Sequence, residues 1–171
     1  MTTEYLLHRE LGHVLAALTP GNRLVCEVML HTGLRVGDVL ALRTEQLKKR
    51  FWVTEAKTRK RRMVGLPEEL RRAVLRQAGP VWAFPGRDGK RHRTRQAVWK
   101  DVKRAARAFR LPQNAGTHSM RKIYAVELRR KYGDVERVKR ALNHDSLHTT
   151  LLYAMADQLL TDKMTRRAGH E

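Results

Sequence analysis

Apolar residues recur at roughly every third or fourth position along most of this 171-residue chain, the spacing of helices with one buried face. The pattern predicts helices over residues 3–18, 23–31, 36–42, 68–77, 94–110, 119–132, 135–142 and 146–153. Thr2 or Thr3 is a candidate N-cap of the first helix, and Asn22 of the second, after a turn at residues 19–21. Gly33 is placed to end the second helix, because glycine readily takes the left-handed conformation of a helix C-cap.

Two short segments depart from the helical pattern. Residues 51–55 and 62–66 have strand character, and the polar, cationic stretch 57–61 lies between them. This arrangement predicts a β-hairpin with an exposed basic tip. The expected fold class is therefore mainly α with a small antiparallel β-sheet, an α+β fold.

Composition narrows the partners that this chain can have. Thirty-six Lys and Arg oppose seventeen Asp and Glu, which gives a net charge of +19 and a pI near 11.1. Such an excess favours a polyanion, above all a nucleic acid, and a generally basic or ribosomal protein is the alternative. The single cysteine, Cys26, excludes a disulfide framework and fits a reduced, intracellular compartment. No apolar run reaches the roughly 18 residues of a membrane span.

Three fragments carry candidate chemistry, and each is weak alone because surface arginines and core tyrosines are common. They are Thr32-Gly33-Leu34-Arg35-Val36-Gly37-Asp38, then His118-Ser119-Met120-Arg121, then Leu142-Asn143-His144 with Tyr153 nine residues after His144. In this order and spacing they resemble the catalytic set of the tyrosine recombinases, the phage integrase family. Asp38, Met120 and Asn143 stand where that family more often has Glu, Leu and Gly.

The resemblance implies a role for each residue of the set. Tyr153 would be the nucleophile, Arg35 and Arg121 the phosphate clamps, and His144 a third donor to the phosphate. His118 can donate or accept a proton near neutral pH. Asp38 would hold Arg35 or His118 in position. The predicted DNA contacts are the basic residues that flank this set: Arg59, Lys60, Arg61, Arg91, Arg93 and Arg95.

Lys57 stands where integrases place their hairpin lysine, the general acid that protonates the leaving 5′ oxygen. Its basic neighbours leave the register open, and Lys60 is the alternative. His144 and His148 have the spacing of a helical metal pair, but the Glu of a His-Glu-x-x-His box is absent, so we predict no metal site.

The implied reaction is site-specific cleavage and rejoining of DNA through a 3′-phosphotyrosine, with no metal and no cofactor. The alternatives are a type IB topoisomerase, a telomere resolvase or a non-catalytic DNA-binding module with the same fold. Residues 1–171 are expected to form one catalytic domain without the family's N-terminal core-binding domain, with residues 154–171 as an exchange helix or a flexible tail. The expected partners are double-stranded DNA and, on DNA, other protomers. We expect a monomer in solution, inside the cell with the nucleoid and away from membranes.

Overall fold

The computed structural model describes residues 6–112, 114–133 and 135–142, and within them it is mainly helical. The helices are α1 (His8–Ala17), α2 (Pro20–Thr32), α3 (Val36–Leu40), α4 (Glu68–Gln77), α5 (Arg95–Ala108), α6 (Thr117–Tyr132) and α7 (Val135–Leu142). The strands β1 (Arg50–Thr54) and β2 (Arg61–Gly65) form a two-stranded antiparallel sheet. The predicted fold class is confirmed. The helix predicted over residues 146–153 lies outside the described residues.

Helix α2 runs through the centre of the core. It packs against α1, α3, α4, α5 and α6. Val25, Cys26, Val28 and Met29 are all buried almost completely, because neighbours cover the helix on several sides. The site described below lies at the C-terminal end of this helix.

The hairpin lays one face on that core. Phe51 pairs with Val64 and Val53 with Arg62, and these four residues point inward, whereas Trp52 is exposed. A basic residue, Arg62, therefore occupies an inward position between apolar neighbours, with a side chain only 12% exposed.

The starts of the first two helices differ from the prediction. Helix α1 begins at His8, with Leu7 as its N-cap residue, and the candidate caps Thr2 and Thr3 lie outside the described residues. Helix α2 begins at Pro20, so residues 19–21 form the helix start and not a turn. Proline suits this first position because it has no N–H to leave unpaired and its φ is already helical.

The predicted cap of α2, Asn22, lies inside the helix, and an acid from α5 does the capping. Asp101 accepts hydrogen bonds from the Thr19 amide at 3.0 Å, the Thr19 hydroxyl at 2.7 Å and the Asn22 side chain at 2.8 Å. A carboxylate at this end also complements the positive end of the helix dipole. Among the described residues, no helix is both long and apolar enough to cross a membrane.

Candidate active site

Arg35 stands on a tight turn between α2 and α3. Gly33 ends α2 with φ of 65°, and Arg35 begins α3 with its side chain 21% exposed. The Tyr124 ring of α6 presses on the turn, since a Cβ on Gly33 would lie 2.3 Å from the ring's Cδ1. Glycine is thus required here both by the backbone conformation and by the close approach of the ring.

The partner of Arg35 is Glu55, not Asp38. The carboxylate of Glu55 is fully buried, and its Oε2 accepts a hydrogen bond from Nη1 of Arg35. Asp38, which the sequence predicts to hold Arg35 or His118, instead accepts the Ala56 amide through Oδ1 at 2.9 Å. The prediction for Asp38 is therefore corrected: it anchors the hairpin backbone next to Lys57.

Arg62 completes a pair of cations around the Glu55 carboxylate. Its Nε lies 3.4 Å from Glu55 Oε1, and its Nη2 donates to the Thr32 carbonyl at the end of α2. Burial lowers the pKa of Arg62, and the negative charge of Glu55 opposes that shift. Burial raises the pKa of the Tyr124 hydroxyl, and the nearby Arg62 guanidinium opposes that shift.

Lys57 lies exposed in the hairpin turn. The turn is closed by the Arg59 amide, which donates to the Glu55 carbonyl at 2.9 Å, and by the Glu55 amide, which donates to the Lys60 carbonyl at 3.0 Å. Arg59 takes a left-handed φ of 57°. The two residues just before Lys57 are thus fixed, Ala56 by Asp38 and Glu55 by both its backbone and its side chain.

His118 and Arg121 sit one turn apart at the start of α6 and share a face, as their spacing predicts. Arg121 is 2% exposed; its Nη1 donates to the Gly33 carbonyl and its Nη2 to the Leu142 carbonyl at 2.6 Å. It therefore ties α6 to the ends of α2 and α7.

The environment of His118 shows which charges gather around it. Partial desolvation lowers the pKa of His118 most, although the side chain remains open to solvent on one side. The positive charges of Arg121, Arg35, Lys122 and Lys57 lower it further. Arg35 and Lys57, which the sequence singles out, therefore lie near the pair of His118 and Arg121.

His144 and Tyr153 lie outside the described residues. The described chain ends at Leu142, two positions before His144, and the Leu142 carbonyl is bound by Arg121. The last described residue therefore lies next to Arg121 of the site.

The predicted DNA contacts fall into two groups. Arg59, Lys60 and Arg61 are exposed at the hairpin, where the Arg61 guanidinium lies 5.1 Å from the centre of the Trp52 ring. The second group, Arg91, Arg93 and Arg95, surrounds the start of α5; Arg91 and Arg93 line a cleft of about 730 Å³ there.

Arg93 differs from the other predicted DNA contacts because its side chain is partly buried and bonded within the protein. Its Nη1 donates to Asn22 Oδ1 at 2.8 Å, and its guanidinium fills the space where a Cβ on Gly21 would stand, 2.4 Å away. Burial lowers the pKa of Arg93.

Sequence reasoning missed Glu55, Arg62 and Lys122 as parts of the site. The signal for Glu55 was available: Phe51 and Val53 point inward, and a carboxylate two residues further continues that register. A charged side chain at such a position needs a buried partner, and Arg62, which pairs with Val53 on the neighbouring strand, is one.

Comparisons with known proteins find relatives of this chain. A model of the phage integrase family matches residues 4–159. The probable integrase/recombinase YoeC of Bacillus subtilis (strain 168) is 27% identical over 135 residues, which are 75% of this chain and 74% of YoeC. The integrase of Escherichia phage P2 is 28% identical over 166 residues, 95% of this chain and 46% of the integrase.

A solved structure shares the fold. The XerH site-specific recombinase, captured with a palindromic difH substrate in a post-cleavage complex, superposes with a TM-score of 0.74 at 23% identity. The match covers 96% of this chain and 53% of XerH. This chain thus spans about half the length of XerH and of the phage P2 integrase.

Proposed function

Because the chain belongs to the phage integrase family, we propose that it cleaves and rejoins DNA at specific sites through a covalent phosphotyrosine. One observation carries the proposal: Arg35, Lys57 and Arg121 come from three separate parts of the sequence, and all lie near enough to His118 for their positive charges to lower its pKa. A phosphodiester in cleavage carries charge on its non-bridging oxygens, and such a cluster of cations is suited to stabilise it.

We propose one step for each group of the site. The Tyr153 hydroxyl oxygen forms a bond to phosphorus while the bond from phosphorus to the 5′ oxygen breaks. Since the lowered pKa of His118 favours its neutral form at physiological pH, the imidazole accepts the phenol proton. Lys57, exposed on the hairpin tip, gives a proton to the departing 5′ oxygen. Arg35 and Arg121, with His144, bind the non-bridging oxygens.

Rejoining reverses these steps with the 5′ hydroxyl of a partner strand, so no external energy source is required. The DNA contacts that we propose beyond the scissile phosphate are the basic residues at the hairpin tip and around the start of α5. We further propose that protomers are monomeric in solution and assemble on DNA, at the nucleoid, with residues 154–171 docking on a neighbour.

The test is a suicide substrate, a duplex with a nick close to the cleavage site. After cleavage the short fragment that carries the free 5′ hydroxyl diffuses away, so that covalent adducts accumulate. We expect adducts with the wild-type chain and none with Tyr153→Phe, which should still bind the duplex because its cations are intact. Tyr132→Phe is the matched control, since Tyr132 is an exposed tyrosine at the end of α6 and should leave adduct formation unchanged. Adducts in Tyr153→Phe at the wild-type rate would refute the assignment of the nucleophile.

The same assay separates the rival functions. A non-catalytic DNA-binding module binds the duplex but forms no adduct. A type IB topoisomerase forms adducts and relaxes supercoiled DNA, but it does not join the cleaved strand to a partner duplex. The recombinase alone gives strand-transfer products between two duplexes.

A further inference from the structure

Glu55 is a buried carboxylate at the junction of two parts of the site, the Arg35 turn and the hairpin tip. Its side chain is 0% exposed and faces two guanidinium groups, those of Arg35 and Arg62. Its backbone amide and carbonyl close the turn that carries Lys57. One residue therefore contacts both of the elements that would supply a phosphate clamp and a general acid.

Stability alone is a weak reason for such a group. Removing a carboxylate from water is costly, and a buried ion pair is often no more stabilising than apolar residues of the same volume. What an ion pair of this kind does well is to fix orientation, because both partners are costly to leave unpaired. The orientation that Glu55 fixes is that of Arg35.

The shape of the guanidinium allows it to serve two partners. Arginine has five N–H donors in a planar fork, so one edge can bond a carboxylate while another bonds a phosphate. Nη1 of Arg35 is directed to buried Glu55, and the side chain as a whole is 21% exposed. The carboxylate thus holds one edge inward and leaves part of the group at the surface.

Arg62 in turn holds the carboxylate. It contacts Glu55 on one side and the Thr32 carbonyl on the other, three residues before Arg35. Contacts therefore run from the end of α2 to Arg62, from Arg62 to Glu55, and from Glu55 to Arg35. Because the Glu55 carboxylate is held on both sides, it has little freedom to move with the exposed hairpin tip.

We propose that Glu55 is a positioning residue, which sets the guanidinium of Arg35 against the scissile phosphate. The proposal rests on the function proposed above. Glu55 acts through Arg35 and touches no reacting atom itself. Its loss should therefore slow cleavage only while Arg35 is present.

The experiment is a double-mutant cycle on single-turnover adduct formation with the suicide substrate. We expect Glu55→Gln to slow cleavage by roughly ten- to a hundredfold, the size of effect that misplacing a catalytic group has. The double variant Glu55→Gln/Arg35→Ala should be no slower than Arg35→Ala. With His118→Ala, which Glu55 does not act through, the Glu55→Gln factor should be retained in full.

Glu68→Gln is the matched control. Glu68 also binds two arginines, Arg71 and Arg72, but on the exposed surface of α4. This variant makes the same change in charge and should cleave at the wild-type rate. Thermal melts of all variants show whether they are folded, and Glu55→Asp, which keeps the charge but shortens the reach, replaces Glu55→Gln in the cycle if that protein does not fold.

The outcomes are distinct. Two results would overturn the role of Glu55 while leaving the proposed function in place, provided that the wild-type chain forms adducts. In one, the rate losses from Glu55→Gln and Arg35→Ala multiply in the double variant. In the other, Glu55→Gln cleaves at the wild-type rate. No adduct from the wild-type chain overturns the proposed function and this inference with it. Wild-type adducts with a non-additive Glu55–Arg35 pair and an additive Glu55–His118 pair support the positioning role.

Discussion

Replacing Gly33 with alanine tests how tightly the Arg35 turn is built, and the chain offers a control at Gly133. Both glycines end a helix in the left-handed conformation, with φ of 65° and 66°. They differ in what a methyl group would meet. At Gly33 it would lie 2.3 Å from Cδ1 of Tyr124, whereas at Gly133 nothing stands within 4 Å.

The two costs can be worked out separately. An alanine in the left-handed region costs about 1–2 kcal/mol, so Gly133→Ala should lower the free energy of unfolding by that amount. Gly33→Ala carries the same cost plus that of overpacking, roughly 1–3 kcal/mol, because a ring and not a flexible chain end must move. Its expected total is therefore about 2–5 kcal/mol.

Urea denaturation of the two variants and the wild type measures the difference. In a Tyr124→Ala background the ring is gone, so the loss from Gly33→Ala should fall towards that of Gly133→Ala. Equal losses at the two glycines, or an excess at Gly33 that persists without the ring, would show that the ring does not constrain this turn. Gly33→Ala should also slow cleavage, because the Gly33 carbonyl binds Arg121.

Three further predictions concern single ionisable groups. Lys57→Ala should slow cleavage of normal DNA but not of a substrate with sulfur at the bridging 5′ position, which needs no acid to leave; equal defects on both would point to Lys60 instead. The folded state binds a proton at His118 less readily than the unfolded chain, so it should lose stability as pH falls through about 6.5, and urea titrations at pH 7.5 and 5.5 should show a smaller loss for His118→Gln. At Asp101, burial raises the pKa but hydrogen bonds from Asn22, Thr19 and Arg104 outweigh it and lower the pKa from 3.8 to about 2. This contribution, about 2 kcal/mol, is present above pH 3.8 and lost as pH falls towards 2, so Asp101→Asn should cost about that much at pH 7 and show a flatter acid limb of the stability curve.

The elements that the sequence predicted well rest on local signals. The strand alternation placed the hairpin within one residue of β1 and β2, and Gly33 ends α2 as expected. The start of α2 was wrong because Thr-Pro-Gly is typical both of a turn and of a helix beginning with proline. What decides between the two is Asp101, which lies 82 residues from Thr19 and so leaves no local trace.

The candidate site shows the same division. Spacing and resemblance placed Arg35, Lys57, His118 and Arg121, and the structure brings them together. Arg35 was paired with the wrong carboxylate, because Asp38 is close to Arg35 in sequence whereas Glu55 reaches it across the fold. Strand register, not sequence distance, decides which acid is buried beside the arginine.

The site is built on the open carbonyls at the end of α2. A helix leaves its last carbonyl groups without partners inside the helix, and its C-terminal end carries partial negative charge. Here Arg62 binds the carbonyl of Thr32 and Arg121 that of Gly33, so two guanidinium groups stabilise the turn from which Arg35 projects. Arg121 therefore has a structural task before any phosphate arrives, and it performs that task with the side chain proposed to clamp the substrate. It follows that the loss of activity in an Arg121 variant combines a displaced Arg35 turn with a missing phosphate contact, and cannot be assigned to the phosphate contact alone.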